Sequence, residues 1–344
     1  MQCVERGLVT LDEPLDKHLP ELASQPVFHF DEIDGKNLTK YNISEEESKD
    51  LTKYSLHPRK NPLTLRHLLL HTSGVGYDLN HPALRHWRES RGEQPMCLTA
   101  KVVPAFSTPL LFEPGTQWKY GGGIDWVGVL MCRLTGFETI EKYLIENVFK
   151  PLNMDSTTFH IHTKPNYLER FVAPSVRAPD GQLWPTVLPF PFPPGDEYPG
   201  NGMYSSGPDY AAILADIISD NPVCLKKETA ELLFEPQLEE GSSALEHLYA
   251  NEDLYEGSAG GFVGDMKINH GLGGVLLMDE VPLTGAPPKT LVWAGLLNIR
   301  WWANREWGLA GFYATQVLPQ GDKKNTKMAA AFQSGMWKQR RAEA

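Results

Sequence analysis

The chain has 344 residues, 41% of them apolar and 22% charged, which is the composition of a globular protein with a sizeable core. Its formal charge of −11 and its pI near 5.5 disfavour nucleic acid as a partner, because phosphate binding uses clustered Lys and Arg. The short basic cluster KQRR at 338–341 is expected only to complement the end of a terminal helix.

The cysteines and the chain start bear on the cellular compartment. Cysteine occurs at positions 3, 97, 132 and 224, far apart and without CxxC spacing, which is typical of reduced thiols rather than of disulfides or a zinc site. The sequence lacks a long apolar stretch that would span a membrane, and its first residues lack the pattern of a secretory signal. These features predict a cytoplasmic protein with no membrane partner.

The start of the chain has the pattern of a helix end. Residues 1–6 precede Gly7, and glycine is the usual residue just past a helix, where the backbone turns left-handed. Six residues are too few for a helix that is stable by itself, so the chain is expected to begin inside an element. Residues 31–60 follow as a polar, charged stretch and are predicted to form a surface loop.

Four segments have the apolar spacing and the end signals of helices. The first, 61–74, has Pro and Thr near its start and a Ser-Gly stop, so it is predicted to be a buried helix. The other three helices are predicted over 124–135, 138–149 and 205–218.

The last third of the chain changes to a strand pattern. Residues 185–200 are too rich in proline for a helix or a central strand and are predicted to be an ordered loop. Apolar, aromatic runs at 269–280, 290–303 and 307–319 are bounded by Gly, Pro and Asn and predict antiparallel strands, and a terminal helix follows over 327–341. The order predicts an α/β (α+β) architecture in which a helical lobe packs on an antiparallel sheet.

Seven segments, in order and in register, resemble the serine β-lactamase and penicillin-binding-protein-like superfamily, in its class C-like esterase and acyltransferase branch. They are GLVTLDEPL (7–15), LTLRHLLLHTSGV (63–75), FEPGTQWKYGGGIDWVG (112–128), FKPLNMDSTTF (149–159), GNGMYSSGPDYAAIL (200–214), HGLGG (270–274) and WAG (293–295). They are most similar to fungal polyketide acyltransferases of the lovastatin type. The resemblance implies a β-lactamase-like domain over 1–320, with 321–344 forming a helix that closes the sheet and a basic tail.

The resemblance also implies the chemistry of the site. A serine of an S-x-x-K motif attacks an ester, thioester or lactam, and the acyl-enzyme passes its acyl group to water or an alcohol. Tyr120 falls on the second motif of the family, and Gly122 stands where an amide side chain is usual. Trp293 and Gly295 fall on the third motif, whose strand would present the Leu296 N–H to the oxyanion. The glycines at 121–123 are expected to leave room for the reacting group beside Tyr120.

The implied partner is a small-molecule acyl ester or thioester, with an acyl carrier as a candidate donor, and neither a cofactor nor a metal is expected. His67 and His71 have the spacing of metal ligands on a helix but lack the HExxH glutamate, and the pair His160 and His162 lacks a nearby third ligand. His270, beside Gly271, is interpreted as a turn residue, with a residue lining the cleft as the alternative. Tyr120 could instead be an ordinary aromatic, and Trp293 could belong to the core.

The first motif is missing, because none of the serines among the 344 residues is followed by lysine three positions later. In the family this tetrad opens the helix that ends at GLVTLDEPL, so the serine and lysine would precede Met1, and with them the first strands of the sheet. The resemblance therefore implies an N-terminally truncated member that is inactive as written. Three interpretations stay open: a truncated reading of an enzyme, a non-catalytic binding or regulatory relic that keeps the cleft, and a non-functional fragment.

Overall fold

The computed structural model describes residues 1–30, 53–188, 190, 192–259 and 265–344. These residues form two compact units, each assembled from stretches that are distant in the sequence. The first unit contains residues 1–144, 189–203 and 238–251, and the second contains residues 145–188, 204–237 and 252–344.

Short helices make up much of both units. In chain order they are α1 (Gln2–Glu5), α2 (Pro20–Ala23), α3 (Leu65–Leu69), α4 (Pro82–Ser90), α5 (Met96–Thr99), α6 (Val102–Phe106), α7 (Gly123–Thr135), α8 (Ile140–Leu144), α9 (Pro165–Leu168), α10 (Gly207–Ile218), α11 (Lys227–Leu232), α12 (Ser243–Tyr249), α13 (Glu252–Ala259) and α14 (Lys323–Glu343). A π-helical turn, Ile145–Phe149, follows α8 directly, and a 3₁₀ turn covers Ile161–Thr163. None of the helices in the described ranges is long and apolar enough to cross a membrane.

Within the described ranges the strands form three sheets. In chain order the strands are β1 (Val27–His29), β2 (Ser55–His57), β3 (Ser175–Arg177), β4 (Leu183–Pro185), β5 (Ile268–Gly271), β6 (Gly274–Leu277), β7 (Thr290–Gly295), β8 (Ile299–Asn304), β9 (Leu309–Tyr313) and β10 (Val317–Leu318). β1 and β2 form an antiparallel pair, and β3 lies between β4 and β10. The largest sheet has the antiparallel order β5-β6-β7-β8-β9.

In the first unit, α7 is the helix that leads away from Tyr120. Its sequence, GIDWVGVLMCRLT, buries Trp126 and Leu130 almost completely, so apolar packing stabilises it. The helix ends where Gly136 adopts a φ of +74°, the left-handed conformation that glycine takes without steric cost. A second apolar cluster of this unit consists of Phe28, Ala83, Leu84, Leu111 and Phe112.

In the second unit, the five-stranded sheet carries the third-motif segment on its central strand, β7. β5 and β6 are buried along their whole length: β6 is an apolar strand, whereas β5 also buries the polar residues Asn269 and His270. The C-terminal helix α14 lies against the sheet: Thr326 accepts a hydrogen bond from Arg300 at 2.9 Å, and the Phe332 ring lies 5.8 Å from that of Trp302. The predicted α/β class, an antiparallel sheet flanked by helices, is confirmed.

Several predicted boundaries need correction. The helix predicted over 61–74 is limited to α3, because the backbone of His71 turns left-handed with a φ of +57°. The helix predicted over 138–149 changes to π-helical geometry after Leu144. Within the loop predicted over 31–60, residues 31–52 lie outside the described ranges, and β2 pairs with β1 as a strand that the polar composition concealed.

Candidate functional site

Tyr120 lies in the segment that leads into α7, and two other aromatic rings hold its half-buried ring. The centroid of the Tyr120 ring is 5.0 Å from that of His71 and 5.3 Å from that of Tyr77, both in edge-to-face geometry. Such ring pairs fix the orientation of a side chain in addition to burying it. His71 and Tyr77 belong to HTSGVGY at 71–77, so two of the family-like segments meet at this tyrosine.

The glycine run 121–123 packs tightly against the protein around it. A methyl group at Gly121 would collide with the carbonyl oxygen of Val75, and one at Gly122 would collide with the Phe106 ring. A methyl group at Gly123 would lie 2.6 Å from the carbonyl oxygen of Leu68. The expectation that these glycines leave open space is therefore wrong: protein atoms fill that space, and glycine is needed so that backbones can approach each other closely.

Gly121→Ala is expected to destabilise the protein by about 3 kcal/mol, the upper end of the usual cost of overpacking, because the obstacle is a backbone carbonyl that cannot rotate away. Urea denaturation monitored by circular dichroism measures the change in the free energy of unfolding. Gly335→Ala is the matched control, because nothing lies within 4 Å of a methyl group there and the site is inside α14. The control should stabilise by about 0.5–1 kcal/mol, and equal stability of the two variants would contradict the packing argument.

Lys119, the residue before Tyr120, is buried with a side-chain exposure of only 1%. Its backbone N–H donates to the carbonyl oxygen of His71 at 2.9 Å, which ties the strand-like approach to Tyr120 to the end of α3. Burial lowers the pKa of Lys119 to about 7, so near neutral pH its amine is charged less completely than that of an exposed lysine. Lys119 is therefore a weak source of positive charge for a tyrosinate at position 120.

The third-motif segment forms the end of β7 and the turn that follows it. Trp293 is half-buried and pairs across the sheet with Trp301 on β8. The Asn298 N–H donates to the Gly295 carbonyl oxygen at 3.0 Å and closes the turn, with Asn298 at a φ of +59°. Leu296 lies in this turn and is 43% exposed.

His270 lies on β5 rather than in a turn, so the turn interpretation is wrong. Its Nδ1 donates to the Gly271 carbonyl oxygen at 2.6 Å, and its ring lies 6.0 Å from the Trp293 ring. Burial lowers the pKa of His270 to about 4, which keeps the imidazole neutral at pH 7. The ring therefore supports Trp293 as an uncharged packing partner.

The sequence-predicted residues fall into two groups. Tyr120 and Gly122 lie together in the first unit, and Trp293, Gly295 and Leu296 lie on one hairpin of the second unit. The sequence reasoning missed His71, which it considered only as one of two metal ligands, and Tyr77, which it did not consider. Their position within the segment at 63–75 and just after it was the signal that could have found them.

The fold and these motif positions define a protein of the β-lactamase class, and comparison with known proteins agrees. The family model described as "Beta-lactamase" matches residues 1–333, so the chain belongs to this family.

Among curated relatives, the chain is 38% identical over 341 residues to "Acyltransferase calJ" of Penicillium decumbens, with 98% of this chain and 77% of the relative covered. It is 30% identical over 347 residues to "Monacolin J acid methylbutanoyltransferase" of Aspergillus terreus, with 98% and 78% covered. A solved structure, "Simvastatin Synthase (LovD) from Aspergillus terreus", superposes with a TM-score of 0.81 at 28% identity and covers 98% of this chain and 80% of that one. The chain is thus a β-lactamase-fold protein similar to fungal acyltransferases.

Proposed function

We propose that the protein belongs to a line of serine acyltransferases and esterases that move an acyl group from an ester or thioester to an alcohol or water. The observation that carries this proposal is Tyr120, held by the rings of His71 and Tyr77 at the second-motif position. The similarity to acyltransferases along 98% of the chain supports the same reaction class.

The proposed reaction has two halves that use the same proton route. In the first, the motif serine attacks the acyl carbonyl, its proton passes to the Tyr120 phenolate, and the departing thiolate or alkoxide takes that proton. In the second, an alcohol or water attacks the acyl-serine, and its proton passes through Tyr120 to regenerate the serine hydroxyl. The backbone N–H of Leu296 would stabilise the oxyanion of both intermediates.

Tyrosine can serve as this base only when a cation lowers its pKa from about 10. The motif lysine has that role in the proposal, because burial lowers the pKa of Lys119 and weakens it as a cation near neutral pH. The 344 residues contain neither the serine nor the lysine of an S-x-x-K motif, so we propose that these residues alone do not form an acyl-enzyme. The second candidate is a non-catalytic binding or regulatory relic that keeps the substrate cleft.

For the substrate class we propose neutral esters or acyl thioesters, with an acyl carrier as a candidate donor, in the cytoplasm. β-Lactam recognition in this superfamily uses a third-motif cation to hold the substrate carboxylate, and Trp293 occupies that position with a neutral indole. On the neighbouring strand β8, Arg300 is buried and donates to Thr326 of α14. The four cysteines are free thiols, as expected in a reducing compartment.

The test uses residues 1–344 preceded by a segment that carries Ser-x-x-Lys. We expect acylation of that serine by an acyl thioester, seen by mass spectrometry, and a kcat/KM at least tenfold higher for p-nitrophenyl esters than for a cephalosporin. Trp293→Lys should narrow this ratio, whereas the control Trp184→Lys, at a tryptophan that is 55% exposed on β4, should not. Faster turnover of cephalosporin, or no acyl-serine with any donor, would overturn the proposal.

A further inference from the structure

Asp125, in the first turn of α7, is a buried carboxyl group that the proposed reaction does not use. Its side chain has an exposure of 0%, and its Oδ1 accepts a hydrogen bond from the Gly200 N–H at 3.0 Å. Its Oδ2 has no hydrogen-bond partner in the described part of the chain. An unpaired carboxylate oxygen inside a protein is costly, so the site strongly favours the protonated acid.

The turn at Tyr198–Gly202 sits directly on this carboxyl and on the helix that carries it. A methyl group at Gly200 would lie 2.7 Å from Oδ2 of Asp125, so only glycine fits there. One helical turn further along, the Pro199 ring fills the space above Gly128. The N–H groups of Asn201 and Gly202 both donate to the Tyr198 carbonyl oxygen, at 3.2 and 2.7 Å, which makes the turn compact.

The same turn continues the aromatic wall that reaches Tyr120. The Tyr198 ring lies 6.2 Å from Phe106, the Phe106 ring lies 5.7 Å from Tyr77, and the Tyr77 ring lies 5.3 Å from Tyr120. Phe106 also fills the space next to Gly122. A shift of the turn away from α7 would therefore remove the outer support of this row of rings.

We propose that Asp125 is a positioning residue: its protonated carboxyl holds the Tyr198–Gly202 turn against α7 and thereby fixes the aromatic wall behind Tyr120. The effect on substrate rests on the proposed function, whereas the attachment of the turn does not. Ionisation of Asp125 favours an open arrangement in which water reaches the carboxylate. The turn is thus attached more firmly in acid than at neutral pH.

The direction of this pH dependence follows from the environment of the Asp125 carboxyl. Burial raises the pKa of Asp125 to about 7, and the Gly200 N–H offsets only part of this effect. In an open, hydrated arrangement the pKa returns to about 3.9. Because Asp125 has the raised pKa in the closed arrangement, protonation stabilises that arrangement relative to the open one. This stabilisation is complete below pH 4 and is lost as the pH rises to 7.

The other titratable groups around α7 do not replace this carboxyl. Tyr198 faces it from the turn, and burial raises the pKa of Tyr198 to about 12, so it stays neutral over this range. Glu197 accepts instead from the Glu141 N–H of α8, at 2.7 Å. The cations on the elements packed around α7 interact with other groups. Arg66 of α3 pairs with Asp12, and Lys101 before α6 pairs with Asp196. Lys142 of α8 pairs with Glu138, and Arg6 after α1 lies over the Tyr143 ring.

The experiment is residue-resolved hydrogen exchange at the Gly200 amide of residues 1–344 between pH 5 and 7, corrected for intrinsic exchange. We expect the opening constant to rise about tenfold per pH unit in the wild-type chain and to be flat in Asp125→Asn. Asp216→Asn is the matched control, because both oxygens of that buried carboxylate accept from the N–H groups of Val223 and Cys224. Asp216→Asn should leave the pH dependence of the opening constant at Gly200 unchanged.

A Gly200 amide whose opening is independent of pH in the wild-type chain, or equally dependent in Asp125→Asn, would overturn the proposal. If Asp125→Asn does not fold, carbon NMR of the Asp125 carboxyl in the wild-type chain decides instead: titration near pH 7 supports the proposal and titration near pH 4 rejects it. Neither the hydrogen exchange nor the carbon NMR titration uses a substrate, so both measurements test the attachment of the turn even if the proposed function is wrong. In a chain with an S-x-x-K segment, KM should rise with pH in this window only when Asp125 is present, and an equal rise in Asp125→Asn would reject the positioning role.

Discussion

Residues 1–344 expressed alone are expected to remain unlabelled by a fluorophosphonate probe and to hydrolyse p-nitrophenyl esters at the background rate. Residues 1–344 contain no serine followed three residues later by lysine, so under the proposed function neither the motif serine nor the motif lysine is among them. In serine hydrolases, removal of the nucleophile costs about 10⁶ in kcat and leaves only about 10³ over water from binding and oxyanion contacts. The same residues preceded by a Ser-x-x-Lys segment should be labelled.

One serine outside the motif provides a specific control. The Ser55 hydroxyl lies 2.9 Å from Nε2 of His57, which makes it a serine with an imidazole partner. Ser55→Ala should have no effect on labelling, because Ser55 has a histidine partner but no lysine three residues later. A burst of nitrophenol from residues 1–344, with the acyl group mapped to Ser55 or to another serine of the chain, would contradict the assignment of the motifs.

In the chain with the Ser-x-x-Lys segment, Tyr120→Phe is expected to lower kcat by about 10²–10⁴, the usual contribution of a general base. Phenylalanine keeps the edge-to-face contacts with His71 and Tyr77 and removes only the hydroxyl that would carry the proton. Steady-state kinetics with an acyl thioester and an alcohol acceptor measure the change, and KM should change little.

Tyr313→Phe is the matched control for this prediction, because Tyr313 is a half-buried tyrosine on β9. It should alter kcat by less than about threefold, within the range of an ordinary surface substitution. Equal kcat in Tyr120→Phe and in the unsubstituted chain would remove Tyr120 from the reaction and favour the relic interpretation.

The sequence predicted the fold class because that class depends on local patterns. The strands of the large sheet have long apolar runs, and the helices α7 and α10 have strong end signals, Gly136 and Ser206. The helix predicted over 61–74 was too long because apolar spacing continues past the point where His71 turns left-handed. The periodic pattern reports burial, and burial continues after the helix has ended.

The details of the site depend on contacts between segments that are distant in the sequence, and these could not be predicted. The glycine run was interpreted as open space, whereas Val75, Phe106 and Leu68 fill it from other segments. Asp125 was invisible because its importance depends on complete burial and on the Gly200 N–H, 75 positions away. A charged residue near the start of a helix is ordinarily an exposed partner of the helix dipole, so nothing in the local pattern indicates that Asp125 is an interior acid.

The two units alternate along the chain, and this limits how the protein can be cleaved or recombined. Each unit draws on three separated stretches, so no single cleavage releases either one as a continuous fragment. Contacts between such distant stretches close large loops, which slows folding and makes partly folded chains prone to aggregate. Recombination with a relative at one crossover point between residues 145 and 251 would combine segments of both parents in at least one unit. Variation in this protein is therefore expected to accumulate by substitution within segments rather than by exchange of blocks.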